Sequence, residues 1–493
     1  MILYIDGHDF RFEMENICRL FVPMEKIAVA PLGPQQAPDE TAVFAYTGLR
    51  DGQAVCRLHL QDYDRTLVQP VRPPCLAEEN SAERLLAELL YRLFCDAFGF
   101  ESDWGILTGV RPVKLLRRLT AQHGEQQALE YMRRRLLVAE HKLALCAETM
   151  CREDAILALS VPRSFSLYIS IPFCPTRCDY CSFVSQTVER AAALMDDYVA
   201  ALTGEIAVTG RIARELGLRL ETVYFGGGTP TTLSPAQLTA VLRAVEQAFD
   251  LSTVREYTVE AGRPDTVTAD KFAVLRAAGV SRISINPQTL HDGVLQAIGR
   301  RHTVQQFYDA FDLARRCGMD NINTDLIAGL PTDTPEGFAA TLDGILRLAP
   351  ESVTVHTLSL KRAANLVIRR RTDAVAGSDT RAMIACAVDG LHAAGYRPYY
   401  LYRQSRTVGN QENVGWALPG KEGLYNVYIM DESHSILACG AGAVTKLRRP
   451  GSEYIERIFN YKFPYEYISG FDEMLSRREG IRTFYTEHCG GLL

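Results

Sequence analysis

The chain has 493 residues, 47% hydrophobic and 23% charged, with a formal net charge of −6. This length exceeds one ordinary core and predicts two or three domains, and the mildly acidic balance argues against a general nucleic-acid or membrane-surface binder. The opening MILYIDGHDFRFEMENICRLF has no basic stretch followed by an apolar run, and no window reaches ~18 uncharged apolar residues, so neither a signal peptide nor a membrane span is expected.

From the N-terminus, the short alternating runs MILYIDG, FRFEME, KIAVAPL, AVFAYTG and AVCRLHL predict a small antiparallel sheet. The stretch from Ala82 to Ile156 is helical in pattern, interrupted near WGILTGVRP by Gly109 and Pro112. Residues 1–160 are therefore expected to form an α+β N-terminal domain whose sequence announces no chemistry.

From Ser166 onward, strand-like runs alternate with amphipathic helices. The strands are SLYISI, TVYFG, EYTVEA, RISINP, NINTDLI and SVTVHTL; the helices lie near 188–217, 235–249, 267–279, 304–318 and 335–347. Six such units predict an α/β fold, a parallel sheet curled into an open (β/α)6 barrel over 161–360. The remaining residues, 361–493, read as a smaller C-terminal extension. In it AMIACAVDGLHAAGY is helical, and ILACGAGAVTKL is a strand meeting a glycine turn.

The unusual residues follow the strands, at the edge where βα-barrels carry their sites. After the first comes CPTRCDYC, with Cys174, Cys178 and Cys181. Ten of the thirteen cysteines, such as Cys95 and Cys386, are scattered and read as buried small hydrophobes. Reduced thiols in the cytoplasm are expected for such a pattern. Three clustered thiolates suit a [4Fe–4S] cluster with one iron left open; a zinc site with a distant fourth ligand and purely structural cysteines are the alternatives. GGGTP follows the second strand, where Gly227, Gly228 and Thr229 let a ligand approach the backbone closely. Glu260 ends the third strand, Gln288 follows the fourth, and Asp325 lies within the fifth, where a buried carboxylate needs a polar partner. Arg300 could grip a carboxylate with its planar fork.

Tyr168 through Cys181, YISIPFCPTRCDYC, resembles the radical S-adenosylmethionine (SAM) enzymes, and more narrowly the oxygen-independent coproporphyrinogen oxidase family. The likeness covers 166–360 well and 360–450 more loosely. It implies that the open iron holds SAM, whose reductive cleavage yields a hydrogen-abstracting radical. It also implies cofactor-binding roles for Tyr168, Tyr180, Gly227, Gly228, Thr229, Glu260, Gln288, Arg300 and Asp325, with Val444 of GAGAV near the nucleoside. A tetrapyrrole substrate (or heme as a cargo), an electron donor such as flavodoxin or ferredoxin, and a C-terminal domain covering the substrate follow from the same resemblance. Lys361, Arg362, Arg403 and Arg406 are candidate partners for propionates, while Arg369, Arg370 and Arg371 read as a solvated face.

Two positions depart from the family. Its oxidases carry a cysteine where Phe183 stands, and a histidine where Ser170 stands. Related heme chaperones, and a longer HemZ-like type with an extra N-terminal domain and a segment like WGILTGVRP, share the first departure. The chain resembles that longer type most. Coproporphyrinogen dehydrogenation is thus the leading expectation, beside a heme chaperone and a radical SAM enzyme of another substrate.

Overall fold

A computed structural model describes the chain apart from Met24, residues 34–35, 75–80, 360–376, Ser405 and 490–493. Two compact units emerge, Met1–Met150 with Leu401–Glu412, and Cys151–Tyr400 with Asn413–Leu493.

The first unit holds a five-stranded sheet of β1 (Ile2–Asp6), β2 (Ala28–Pro31), β3 (Phe44–Arg50), β4 (Gln53–Leu60) and β5 (Tyr63–Pro70), in the order β2-β1-β3-β4-β5. Two expectations need correction. The sheet is mixed, because β1 pairs in parallel with both β2 and β3, and only β3, β4 and β5 run antiparallel. FRFEME is not a strand but belongs to helix α1 (Arg11–Phe21). Six alternating residues are too few to set the period; Met14, Ile17 and Cys18, at i, i+3 and i+4, are the ones buried. The helical stretch is borne out as α2 (Ser81–Phe98), α3 (Pro112–His123), α4 (Glu125–Arg134) and α5 (Glu140–Leu157), with Pro112 opening α3.

Arg403 is also corrected. It lies in this unit, 3% exposed, bonded to the carbonyl of Leu107 and to Asn410 (2.5 Å) and set over the Trp104 ring at 5.2 Å. Its Nη donors are committed to its own fold and only its buried Nε is left without a partner, so it is no free cation for a propionate. Lys361, Arg362 and Arg369–371 lie outside the described residues.

In the second unit all six expected barrel strands form: β6 (Ser164–Ile171), β7 (Arg219–Gly227), β8 (Glu256–Glu260), β9 (Arg282–Ser284), β10 (Ile322–Ala328) and β11 (Ser352–Thr357). They pair in parallel in chain order. The sheet is extended by β12 (Arg397–Tyr402), β13 (Asn413–Ala417), β14 (Ser435–Cys439), β15 (Val444–Arg448) and β16 (Ile455–Phe459), in the order β12-β13-β11-β10-β9-β8-β7-β6-β14-β15-β16. The six-stranded barrel is thus open, with antiparallel β13 beside β11 and parallel β14 beside β6.

Burial explains the continuous apolar runs. Leu167, Ile169, Ile171, Val223, Phe225, Val259, Ile283 and Leu326 are all fully buried, as parallel strands covered by helices on one side and lumen residues on the other require. Helices α6 (Met195–Glu215), α7 (Pro235–Ala248), α8 (Ala269–Ala277), α9 (Asp292–Ala297), α10 (Val304–Arg316) and α11 (Pro335–Leu348) supply the cover. Ser234 and Thr303 cap α7 and α10 in reciprocal boxes with Gln237 and Gln306. Of the scattered cysteines, Cys18, Cys56, Cys146, Cys439 and Cys489 are buried, Cys95, Cys317 and Cys386 are half-buried, Cys151 is exposed, against expectation, and Cys75 lies outside the described residues. No helix among the described residues is long and apolar enough to cross a membrane.

Candidate functional site

The cysteine loop leaves the end of β6 and returns to the same place: Phe173–Cys174 pairs in parallel with Gln186–Thr187. Its interior is pinned from outside. The Asp179 amide donates to Ile298 O just past α9 (2.9 Å), and Arg263 donates to Thr176 O (3.2 Å) and Thr176 Oγ1 (3.0 Å). Arg263 also reaches Cys178 Sγ at 3.8 Å, and Thr229 Oγ1 reaches Cys174 Sγ at 3.6 Å. Burial raises the pKa of the bare Cys174 and Cys181 thiols. Thiolates here therefore need a positive partner. Arg263 and Arg300 face Cys178, and iron would supply the rest of the charge.

The glycines let the chain's own backbone approach closely. Gly227 has φ +100, and a Cβ on Gly228 would lie 2.5 Å from Phe173 O and 2.8 Å from Ile171 O. The amides of Gly228 and Thr229 bond those same carbonyls at 2.8 and 2.7 Å. β7 is thereby laced to the cysteine loop at a spacing only glycine permits.

Across the barrel mouth runs a polar belt. Tyr224 OH donates to Glu260 Oε1 at 2.5 Å. Glu260 has no cation bonded to it among the described residues. Burial, opposed by the Tyr224 bond and assisted by the charge of Asp325, pushes its pKa up to about 7. Asp325 takes hydrogen bonds from Asn286 (2.8 Å) and Asn323 (2.7 Å) and faces His356 Nε2 at 3.7 Å. Burial would raise its pKa, but His356 and the amide bonds outweigh it and hold the carboxyl below its ordinary value. Arg300 is 6% exposed and donates to Asn286 O (2.6 Å) and Tyr180 OH (3.3 Å), while neighbouring Arg301 is exposed to solvent. Gln288 sits at φ 70, 5% exposed, with Oε1 unpartnered; its amide bonds Asp325 O. A buried orphan acceptor and a carboxyl awaiting a cation are what a polar ligand with an ammonium would satisfy.

Tyr180, Arg300, Asn286, Asp325 and Gln288 thus form one hydrogen-bonded chain at the strand ends, with Glu260 within the field of Asp325, Cys178 beside Arg263 and Arg300, and Cys174 beside Thr229. Tyr168 stacks with Tyr224 (6.2 Å) and Tyr425 (6.1 Å), which stack on each other at 4.4 Å. Val444 lines a cavity of about 370 Å³ together with Tyr168, Ser170, Gly227 and Phe183. Sequence reasoning did not assign Tyr224, Tyr425, Asn286, Arg263 or His356. Tyr224 stood beside the glycines in YFGGGTP, but Tyr425 reaches the site from a distant helix, Leu424–Asp431, and carried no local signal.

Residues 168–345 match the family model of the radical SAM superfamily. The chain is 40% identical over 379 residues to the oxygen-independent coproporphyrinogen-III oxidase-like protein HemZ of Bacillus subtilis (strain 168), covering 76% of each chain. It is 32% identical over 313 residues to the heme chaperone HemW of the same strain, covering 61% of this chain and 77% of that one. Coproporphyrinogen III oxidase (HemN) from Escherichia coli shares the fold, with a TM-score of 0.52 at 23% identity, covering 65% of this chain and 72% of that one.

Proposed function

For a chain that belongs to the radical SAM superfamily, within the family that includes HemZ-like and HemW-like proteins, we propose oxidative decarboxylation of coproporphyrinogen III to protoporphyrinogen IX. The chain is a radical SAM oxidoreductase, and its cofactors are a [4Fe–4S] cluster and SAM. When bound, they supply a hydrogen-abstracting carbon radical. Conversion of each of two propionates to a vinyl group would remove one β-hydrogen atom and carbon dioxide and pass one electron to an external acceptor.

The observation that carries the reading is the polar belt from Glu260 through Asp325 and Asn286 to Arg300, set directly behind three cysteines. In it Cys174, Cys178 and Cys181 hold the cluster. Glu260 takes the SAM ammonium and Arg300 the carboxylate. Gly227, Gly228 and Thr229 offer backbone to the methionine end, Gln288 and Asp325 take hydroxyls, and Tyr168, Tyr180 and Val444 flank the nucleoside. The tyrosine stack keeps water from the reacting carbon. The substrate assignment draws on the HemZ relative. Residues 361–493 cover the substrate; Val444, Phe459 and Lys462 of that segment line the Phe183 cavity. A flavodoxin or ferredoxin supplies the electron, and the cytoplasm is the place of work.

A second reading, heme carriage, is favoured by Phe183 at the position where the oxidases have cysteine and by the HemW relative. The test is anaerobic reconstitution with iron and sulfide, followed by SAM, reductant and coproporphyrinogen III. Formation of protoporphyrinogen and 5′-deoxyadenosine is expected. Absence of both products, together with stoichiometric heme binding, overturns the dehydrogenase in favour of the carrier. Cys178→Ser is expected to abolish both the cluster absorbance and SAM cleavage.

A further inference from the structure

The opposite rim of the barrel carries a second polar site. Ser164 opens β6, whose far end leads to the cysteine loop, and Ser435 opens β14, whose far end leads to Gly440–Val444. Five to eight residues of strand separate the two rims, about 15–25 Å. Between Ser164 and Ser435 lies a pocket of about 150 Å³ that also takes in Ser160, Ser433, His434, Arg163 and Arg448.

Among the described residues no carboxylate lines this pocket, and neither Arg163 nor Arg448 has an ion-pair partner. Glu221 lies behind the wall, 3.8 Å from His434 Nε2. It accepts from Ser164 Oγ (2.5 Å) and Tyr428 OH (2.9 Å) and is paired with Arg255 at 3.5 Å. Its charge is offset, and those of Arg163 and Arg448 are not. His434 is buried against the Tyr428 ring (3.6 Å) and held between Ser160 Oγ (2.7 Å) and Ser166 Oγ (3.1 Å). Desolvation and the nearby Arg255 and Arg448, outweighing Glu221, lower its pKa to about 4, so at neutral pH it adds an uncharged polar wall. Ser433 Oγ is buried with no partner; such a group awaits an acceptor. The lip is apolar, formed by Val161, Pro162, Leu216 and Leu218.

Two guanidinium forks with no ion-pair partner among the described residues, beside the unpartnered Ser433 hydroxyl, match a tetrahedral oxyanion with several acceptor oxygens. The apolar lip and the volume leave room for a small apolar group beside the anion. We infer that this pocket binds the phosphate group of a small phosphorylated molecule, at a site separate from the cluster and the tetrapyrrole.

The test is calorimetric titration of the full-length, cluster-loaded protein at fixed ionic strength with inorganic phosphate, phenyl phosphate and benzoate. Saturable one-to-one binding of both phosphates is expected, with phenyl phosphate the tighter. Arg448→Ala and the exposed Arg163→Ala should each weaken it at least tenfold, while Arg449→Ala, outside the pocket, leaves it unchanged. Because Arg163 is solvent-exposed, its variant keeps the test open if Arg448→Ala misfolds. Failure of phosphate to saturate, undiminished binding in Arg163→Ala, or preference for benzoate over phenyl phosphate overturns the assignment.

Discussion

Replacing Glu260 by Gln isolates the electrostatics of the cofactor cradle. Burial lifts the Glu260 carboxyl from 4.5 to about 7. At 1.36 kcal/mol per pH unit the rise corresponds to roughly 3 kcal/mol, and to roughly 2 kcal/mol once the partial exposure of the carboxyl is allowed for. The raised value means that neutral Glu260 favours the fold below pH 4.5, and that this contribution is lost as pH rises through 7. Glutamine cannot ionise. The stability of Glu260→Gln relative to the parent, measured by denaturant melts without SAM, should therefore grow by about 2 kcal/mol between pH 4.5 and 7.5 and level off above. Asp325 and His356 face the same carboxyl, so both proteins share any trend those groups cause, and only the difference reports on Glu260. At pH 6.5 roughly three-quarters of the Glu260 carboxyls carry a proton. SAM binding with its ammonium at Glu260 would return the group to its ordinary range and release that proton. The heat of SAM binding to the parent should then depend on the buffer's ionisation enthalpy, and that dependence should vanish in Glu260→Gln. Parallel pH profiles of the two proteins, or equal proton release from both, would refute the argument.

Gly228→Ala places a methyl 2.5 Å from Phe173 O, backbone that cannot swing away; a loss of about 1–3 kcal/mol in stability and weaker SAM binding are expected from melts and titration. Arg478 and Glu205 form an ion pair with both side chains fully buried. Arg478→Met should cost about 3–5 kcal/mol by leaving Glu205 uncompensated, and the double variant with Glu205→Leu should recover most of it; an equal loss in both proteins would count against the pairing argument. Phe183 is 63% exposed on the cavity wall. Phe183→Ala should change stability by less than about 0.5 kcal/mol yet raise the tetrapyrrole KM about two- to tenfold, the worth of one aromatic contact; unchanged KM in steady-state assays would remove Phe183 from the substrate path.

The barrel was legible because its strands are continuous apolar runs closed by polar residues, a pattern that survives without knowledge of neighbours. Cys174, Gly227, Glu260 and Asp325 could be placed for the same reason: each sits within a few residues of a strand end. What escaped depends on contacts far apart in sequence. Tyr425 stacks on Tyr224 across 201 positions, and Asn286 acquires its role only because Asp325 and Arg300 converge on it. Arg403 reads as a candidate partner for propionates, and only the fold shows its Nη donors spent on Leu107 O and Asn410. In the N-terminal unit, FRFEME failed because six residues fit both periods, and 3.6 won once Met14, Ile17 and Cys18 found a core.

The two departures from the family pattern acquire different meanings. Ser170 is a structural position. Its hydroxyl donates to Ala441 O (2.8 Å), and its carbonyl accepts from Tyr198 OH (2.7 Å), which in turn accepts from the Ala441 amide (3.0 Å). The Gly440 amide is bonded to Glu205 (2.7 Å), itself held by Tyr467 (2.5 Å), Asn460 (2.9 Å) and buried Arg478. The end of β6 is thereby fixed to the turn that carries Val444, and the terminal helices are tied to the cavity wall through Tyr467 and Arg478. A larger side chain at 170 would meet Gly227, whose Cβ would already lie 2.8 Å from Ser170 Oγ. The Phe183 amide bonds Cys181, but its ring has no hydrogen-bonding tie and lines the cavity. Both positions line the cavity, but only Phe183 presents a large exposed ring to it, so Phe183→Ala tests whether that wall meets the substrate.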